Sequence, residues 1–192
     1  DLYSYNHLNP VSYLVQPLQK YRKKFDRNFL FIGPHFTIVF SSETPSESLA
    51  KILDSINFKP IQFTILEAVP HYDVINNLWN VFLCPQDGKE IMDMHQNIYD
   101  TYQLSQTFPN LPFIPHITIG HVESKNDANR ITDEINGEIN SISGLINELS
   151  VVEICADNSC KTMHQKKLLS QTPAVAGETF KSRFSLTFDL DS

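Results

Sequence analysis

Cysteine, glycine and positive charge are all in short supply in this 192-residue chain, which has three Cys, six Gly and 15 Lys plus Arg against 22 Asp plus Glu. Three cysteines are too few and too unevenly placed for a disulfide framework. Cys84 sits in an apolar run as a buried thiol, and Cys155 and Cys160 flank a hairpin loop across which they could face each other. That pair has no second Cys or His pair at useful spacing, so neither metal nor any other cofactor is expected. No Gly-rich phosphate loop, Gly-x-Ser-x-Gly elbow or His-Glu-x-x-His helix occurs. No apolar run approaches the roughly 18–20 residues needed to cross a bilayer, and no signal-peptide pattern is visible. A cytoplasmic monomer without a membrane partner is the expectation. The net charge of −7 and pI near 5.4 exclude a general binder of duplex DNA, whose affinity rests on a basic footprint. A pocket for one small anion, or for the end of a strand, stays open.

Apolar residues at 41% and charged residues at 19% are those of a globular domain, so the chain can be read for periodicity. Helical spacing is expected over 46–56, 87–104 and 126–142, the last with Ile131, Ile135, Ile139 and Ile142 on one face. Strands are expected at 12–16, 35–40, 61–69, 78–84 and 113–122. A hairpin of 149–156 with 163–169 follows, and a closing strand at 184–188. The alternation predicts an α+β or α/β protein with helices covering sheets. No linker divides it, so residues 1–192 read as one compact unit of two pseudo-symmetric lobes.

Pro34-His35-Phe36-Thr37-Ile38 recurs as Pro115-His116-Ile117-Thr118-Ile119, 81 residues later. On a strand, side chains alternate between faces, so His35 and Thr37 share one face while Phe36 and Ile38 share the other, and the second copy repeats this. An imidazole and a hydroxyl about 7 Å apart along the strand can grip one substrate group. A single His-x-Thr is commonplace. Two copies with the same flanks are hard to obtain from packing alone, because an apolar core has no use for two unpartnered imidazoles.

With these two motifs the chain resembles the 2H phosphoesterase superfamily, which includes the bacterial RNA 2′,3′-cyclic phosphodiesterases, also called 2′-5′ RNA ligases. The resemblance implies an α+β, bilobal fold of two antiparallel β-rich lobes with outer helices and a central cleft carrying both motifs. It also implies a metal-independent phosphodiesterase that opens a 2′,3′-cyclic phosphate or cleaves a related nucleotide or RNA-end linkage. His35 and His116 would serve as acid and base in an order the sequence leaves open, with Thr37 and Thr118 donating to the phosphate oxygens. Imidazole suits both roles because its ordinary pKa of about 6.5 lies near working pH. A module of the same fold that binds a nucleotide or RNA end without turnover is the alternative.

Many RNA-processing members carry Arg three residues after the second Thr, and here that position is His121, which lacks arginine's fork and permanent charge. On a regular strand His121 falls on the face opposite His116. The dense basic cluster Lys20, Arg22, Lys23, Lys24 and Arg27 reads as a solvated helix face or as an anion-steering rim, with Lys24 and Arg27 as candidate substrate contacts. Residues 123–153 hold seven acidic and two basic side chains, which favours a nucleotide or RNA terminus over a long duplex. Among Tyr13, Tyr72 and Trp79, Tyr72 is the best candidate to stack on a base, from a polar loop His71-Tyr72-Asp73. His71 reads as a solvent-exposed loop histidine, and His95 as a hydrogen-bonded core residue.

Overall fold

The computed structural model of the chain describes residues 5–10, 16–42, 44–104, 111–157 and 159–169, and for 5–10, 16–18, 41 and 42 the backbone alone. Two four-stranded antiparallel sheets and four helices make a bilobal α+β fold. One sheet has the order β2-β1-β7-β8, built from β1 (Tyr5–Pro10), β2 (Val39–Ser42), β7 (Glu148–Ile154) and β8 (Cys160–Lys167). The other has the order β5-β4-β3-β6, built from β3 (Ile61–Asp73), β4 (Leu78–Pro85), β5 (Ile117–Val122) and β6 (Ile142–Ile146). Each His-x-Thr motif leads into an edge strand, β2 in one sheet and β5 in the other. A motif on an edge has one side free of ladder bonds, so its backbone can turn toward a neighbouring lobe.

The helices are α1 (Gln16–Phe25), α2 (Ser46–Ser55), α3 (Lys89–Tyr102) and α4 (Lys125–Glu138). Pro45 precedes α2 and Ser124 caps α4 by accepting from the Asp127 N–H, two conventional starts. The buried stripes Leu49/Leu53 on α2 and Ala128/Ile131/Ile135 on α4 are the faces that spacing predicts. Helix α1 packs on β5, close enough that the Phe25 Cβ lies 2.9 Å from where a Cβ on Gly120 would stand. No helix among the described residues is long and apolar enough to cross a membrane.

Several expected boundaries move. Of the strand expected at 12–16, positions 12–15 lie outside the described residues, as do Tyr13 and the strand expected at 184–188, while Gln16 opens α1 with Pro17 in its first turn. Of the strand expected at 35–40, His35 makes an isolated bridge, Ile38 sits at a bend, and regular pairing with β1 begins only at Val39. β3 runs past Val69 to Asp73, because β6 pairs with it only over Ile61–Ile65 and Pro70 has no neighbour there to miss its N–H. The turn that follows is closed by the Asp73 carboxylate, which accepts from the Ile75 and Asn76 N–H groups, and by Asn77 at φ 53°. Ile142, expected on a helix face, instead opens β6, since α4 ends at Glu138. β6 needs its glycine: a Cβ on Gly144 would stand 2.4 Å from the Phe63 ring. The hairpin of β7 and β8 is present, with Ile154 paired to Cys160 at its loop end.

Candidate active site

The alternation expected of the two motifs holds. Phe36, Ile38, Ile117 and Ile119 are fully buried, while His35, Thr37, His116 and Thr118 are half-buried on the other side. The repeated proline has a structural role. His35 Nδ1 lies 2.8 Å from the Gly33 carbonyl oxygen and His116 Nδ1 lies 2.6 Å from the Ile114 carbonyl oxygen, in each case two residues back across the proline. A carbonyl only accepts, so in both rings Nδ1 carries the proton and Nε2 is left with a lone pair when the ring is neutral. Proline fixes φ near −65° and so holds the preceding carbonyl in a fixed position relative to the ring. Two imidazoles 81 residues apart are thereby locked in the same tautomer.

Burial pushes both rings toward the neutral form. The His116 pKa falls to about 4, mainly from desolvation and further from the charges of His35 and His71, against the raising effect of the Ile114 bond. His35 is lowered too, by desolvation and by Arg22, opposed by the Gly33 bond and Asp26. The charge of His35 acts on His116, so the two rings lie within electrostatic reach of each other. Behind them His95 on α3 ties the motifs together: its Nδ1 donates to the Ile38 carbonyl (2.6 Å), and its ring stacks on Phe113 at 3.8 Å. This is the hydrogen-bonded core histidine that its helical position predicts.

His116 also forms the end of an aromatic stack. Its ring lies 3.7 Å from Phe82, and Phe82 in turn lies 4.9 Å from His71, with interplanar angles of 22° and 23°. His71 is therefore no solvent-exposed loop histidine. It sits on β3, half-buried, with Nδ1 buried and unpartnered. His71 and His116 line one cavity of about 350 Å³, together with Phe40, Tyr72, Asn80 and Phe82. Tyr72 is likewise at the end of a strand. Its ring leans on Trp79 at 5.2 Å, its hydroxyl donates to Asn77 Oδ1, and it forms part of the cavity rim.

A family model described as the 2′-5′ RNA ligase superfamily matches residues 10–158, about three quarters of the chain. The chain belongs to this superfamily. Two provisionally named phosphoesterases, from Bacillus licheniformis and Bacillus pumilus, are 23% and 26% identical over 117 residues. Those alignments cover 58% of this chain and 66% of each relative, a little under two thirds of their length. Among solved structures, Escherichia coli LigT complexed with 3′-AMP aligns at TM-score 0.55 and 12% identity, covering 88% of this chain and all of that one. Kluyveromyces marxianus Usb1 aligns at TM-score 0.51 and 9% identity, covering 83% and 97%. At such identities the structural likeness establishes the fold.

The position three residues after the second Thr, His121, does not lie on the face opposite His116. β5 is not regular. Thr118 pairs with Phe82 and His121 with Asn80, so β5 spends three residues where β4 spends two. Phe82 and Asn80 share a face, so the bulge brings His121 round to the same face as Thr118 and His116. His121 Nδ1 then lies 3.4 Å from Asp26 Oδ1, an ion-pair distance that is too loose and misaligned to count as a hydrogen bond. Asp26 is held low, against the desolvation that raises it, by His121, by the Asn28 N–H and by Arg22. Arg22 is not on the rim. It is 2% exposed, its Nε donates to Asp26 Oδ2 at 2.8 Å and its terminal amine to the Ile32 carbonyl at 2.7 Å. Lys24, over the Phe25 ring, and Arg27 are exposed, and neither lines the cavity. Among the described residues, no group of three or more His, Cys, Asp or Glu is placed to hold a metal ion.

Proposed function

We propose that this protein is a phosphodiesterase that opens a 2′,3′-cyclic phosphate, or cleaves a related nucleotide or RNA-end phosphodiester, with His35 and His116 as its acid–base pair. The observation that carries the reading is the shared tautomer: two imidazoles within electrostatic reach of each other, each presenting Nε2 because Nδ1 is bonded to its own backbone. One neutral Nε2 takes a proton from water as its oxygen attacks phosphorus. The other ring, protonated, gives its Nε2 proton to the leaving ribose oxygen as the P–O bond breaks, leaving a phosphomonoester. Thr37 and Thr118, beside the histidines on the same faces, would donate to the non-bridging oxygens where negative charge builds. Proton supply and removal come from the two rings, so the scheme calls for no metal ion.

Substrate contacts follow from position. Tyr72 at the cavity rim is first in reach and His121, on the motif face, stands beyond it toward Asp26, while Lys24 and Arg27 act from a distance through their field on an approaching anion. LigT structures with 3′-AMP and with ATP support a nucleotide as the ligand class. The second reading, binding without turnover, is favoured by His121 facing Asp26 where many RNA-processing relatives have an arginine. A panel of 2′,3′-cyclic nucleotides, cyclic-ended RNA and 2′-5′ oligoadenylate, assayed with EDTA present, tests both. Turnover that drops at least about 1,000-fold in His35→Ala and in His116→Ala, both still folded, is expected. Binding without turnover by the parent protein selects the second reading, and activity abolished by EDTA overturns the metal-free scheme.

A further inference from the structure

Next to His116 the cavity has walls suited to something other than phosphate. Phe40, Val74, Ile75, Leu111, Pro112 and Ile114 make most of it apolar, and no Lys or Arg among the described residues lines it. Its one carboxylate, Asp73, is engaged with the Ile75 and Asn76 N–H groups and with the side-chain amides of Asn76 and Asn80. A second phosphate would find no counter-charge there. An uncharged flat group would find apolar walls and a polar edge.

That edge is a row running across three strands. His71 on β3 pairs with Asn80 on β4, and Asn80 pairs with His121 on β5. In each of the three, one buried side-chain atom lacks a hydrogen-bond partner: His71 Nδ1, Asn80 Oδ1 and His121 Nδ1. His121 looks toward Asp26, but His71 and Asn80 line the cavity. Asn80 is only 7% exposed, and because its amide nitrogen serves Asp73, the free atom is the carbonyl oxygen. A buried amide oxygen without a donor is costly, and two cavity-lining residues paired across β3 and β4 that each carry one such unpartnered atom are unusual.

Resting on the phosphodiesterase reading, we infer that this cavity is a nucleobase subsite in which Asn80 Oδ1 accepts from an N–H or NH₂ on the base edge and His71 Nδ1 contacts the neighbouring edge atom. The base lies against the apolar walls, with its ribose phosphate directed at His116. The charged linkage and the uncharged base are thus sorted into separate halves of the site. Discrimination by a polar edge of this kind is strong, because a ligand lacking the donor leaves the buried carbonyl unpaired.

The test is a binding titration, so it does not depend on turnover. Nucleoside 3′-monophosphates of the four common bases and ribose 3-phosphate, which has no base, are titrated into the intact chain and into Asn80→Ala and His71→Phe variants. The expected result is that the parent prefers at least one nucleotide over ribose phosphate by 10-fold or more. Asn80→Ala and His71→Phe each lose at least about 5-fold on that nucleotide while ribose phosphate binding is unchanged. Phe keeps the stack on Phe82, so this variant remains informative if Asn80→Ala loosens the Asp73 turn. Equal binding of nucleotide and ribose phosphate by the parent overturns the inference, as does a nucleotide preference that survives both substitutions because a trapped water satisfies the two atoms. Selective binding without hydrolysis of any cyclic substrate would leave the subsite standing and remove the phosphodiesterase reading instead.

Discussion

An anion entering this site should bring a proton with it. At pH 7 the empty site holds neutral rings: with its pKa near 4, His116 is charged in about one molecule in a thousand, and charging it costs about 4 kcal/mol. Among the described residues no Lys or Arg lines the cavity, and the buried Arg22 is already committed to Asp26. On the proposed reaction, the acid would therefore have to be created by the substrate. One phosphodiester charge about 4–5 Å from an imidazolium contributes roughly 3–4 kcal/mol at an effective dielectric constant of 20. That raises the pKa by about 2.5–3 units, to near 7, so binding should take up about half a proton at pH 7 and more at pH 6. Because the charge of His35 lowers His116, the proton is assigned to the coupled pair rather than to one ring. The assay is calorimetry of a 2′-O-methyl dinucleotide, which cannot be cleaved through its 2′ oxygen and does not itself titrate near pH 7, in buffers of different ionisation enthalpy. The slope of observed enthalpy against buffer enthalpy should be near 0.5 at pH 7, and it should vanish in the His35→Gln/His116→Gln double variant. Binding enthalpies independent of buffer at both pH values would refute the electrostatic account.

The same lowered imidazoles make stability depend on acid. Between pH 6.5 and about 4 the unfolded chain binds a proton at His116 that the folded one refuses, so unfolding free energy falls as pH drops through that window. The loss is about 3 kcal/mol from His116, with His35 and His95 adding in the same direction, and urea melts at pH 7 and 4.5 should show His116→Gln losing less than the parent. Arg22→Met should destabilise by about 3–5 kcal/mol in urea, because it leaves the Asp26 charge buried with only the loose His121 contact and the Asn28 N–H. Arg22→Met/Asp26→Leu should recover most of that loss.

The motif pair was legible because its information is local: a period-2 pattern and a proline at a fixed offset appear in the sequence as they do in space. The helix stripes were legible for the same reason, since Leu49/Leu53 and Ile131/Ile135 need only their own spacing to declare a face. His71 and His121 were not, and both failures have one cause. Reading which face a strand residue occupies assumes that the strand continues and stays in register. The strand expected at 61–69 stops one residue short of Pro70, yet the neighbour whose bonds that proline would break has already stopped at Ile65, and β3 continues to Asp73. The bulge in β5 reverses the face of everything after Ile119, and only the pairing with β4 reveals it. Arg22 was misplaced differently: five basic residues in eight positions look like a solvated face, but the partner that draws one of them inward, Asp26, lies within the same stretch four residues on. The consequence is chemical. With Arg22 paired to Asp26 and His121 turned onto the motif face, the proposed reaction would draw its positive charge at the phosphate from protonated imidazole, and its acid would form only once the anion is bound.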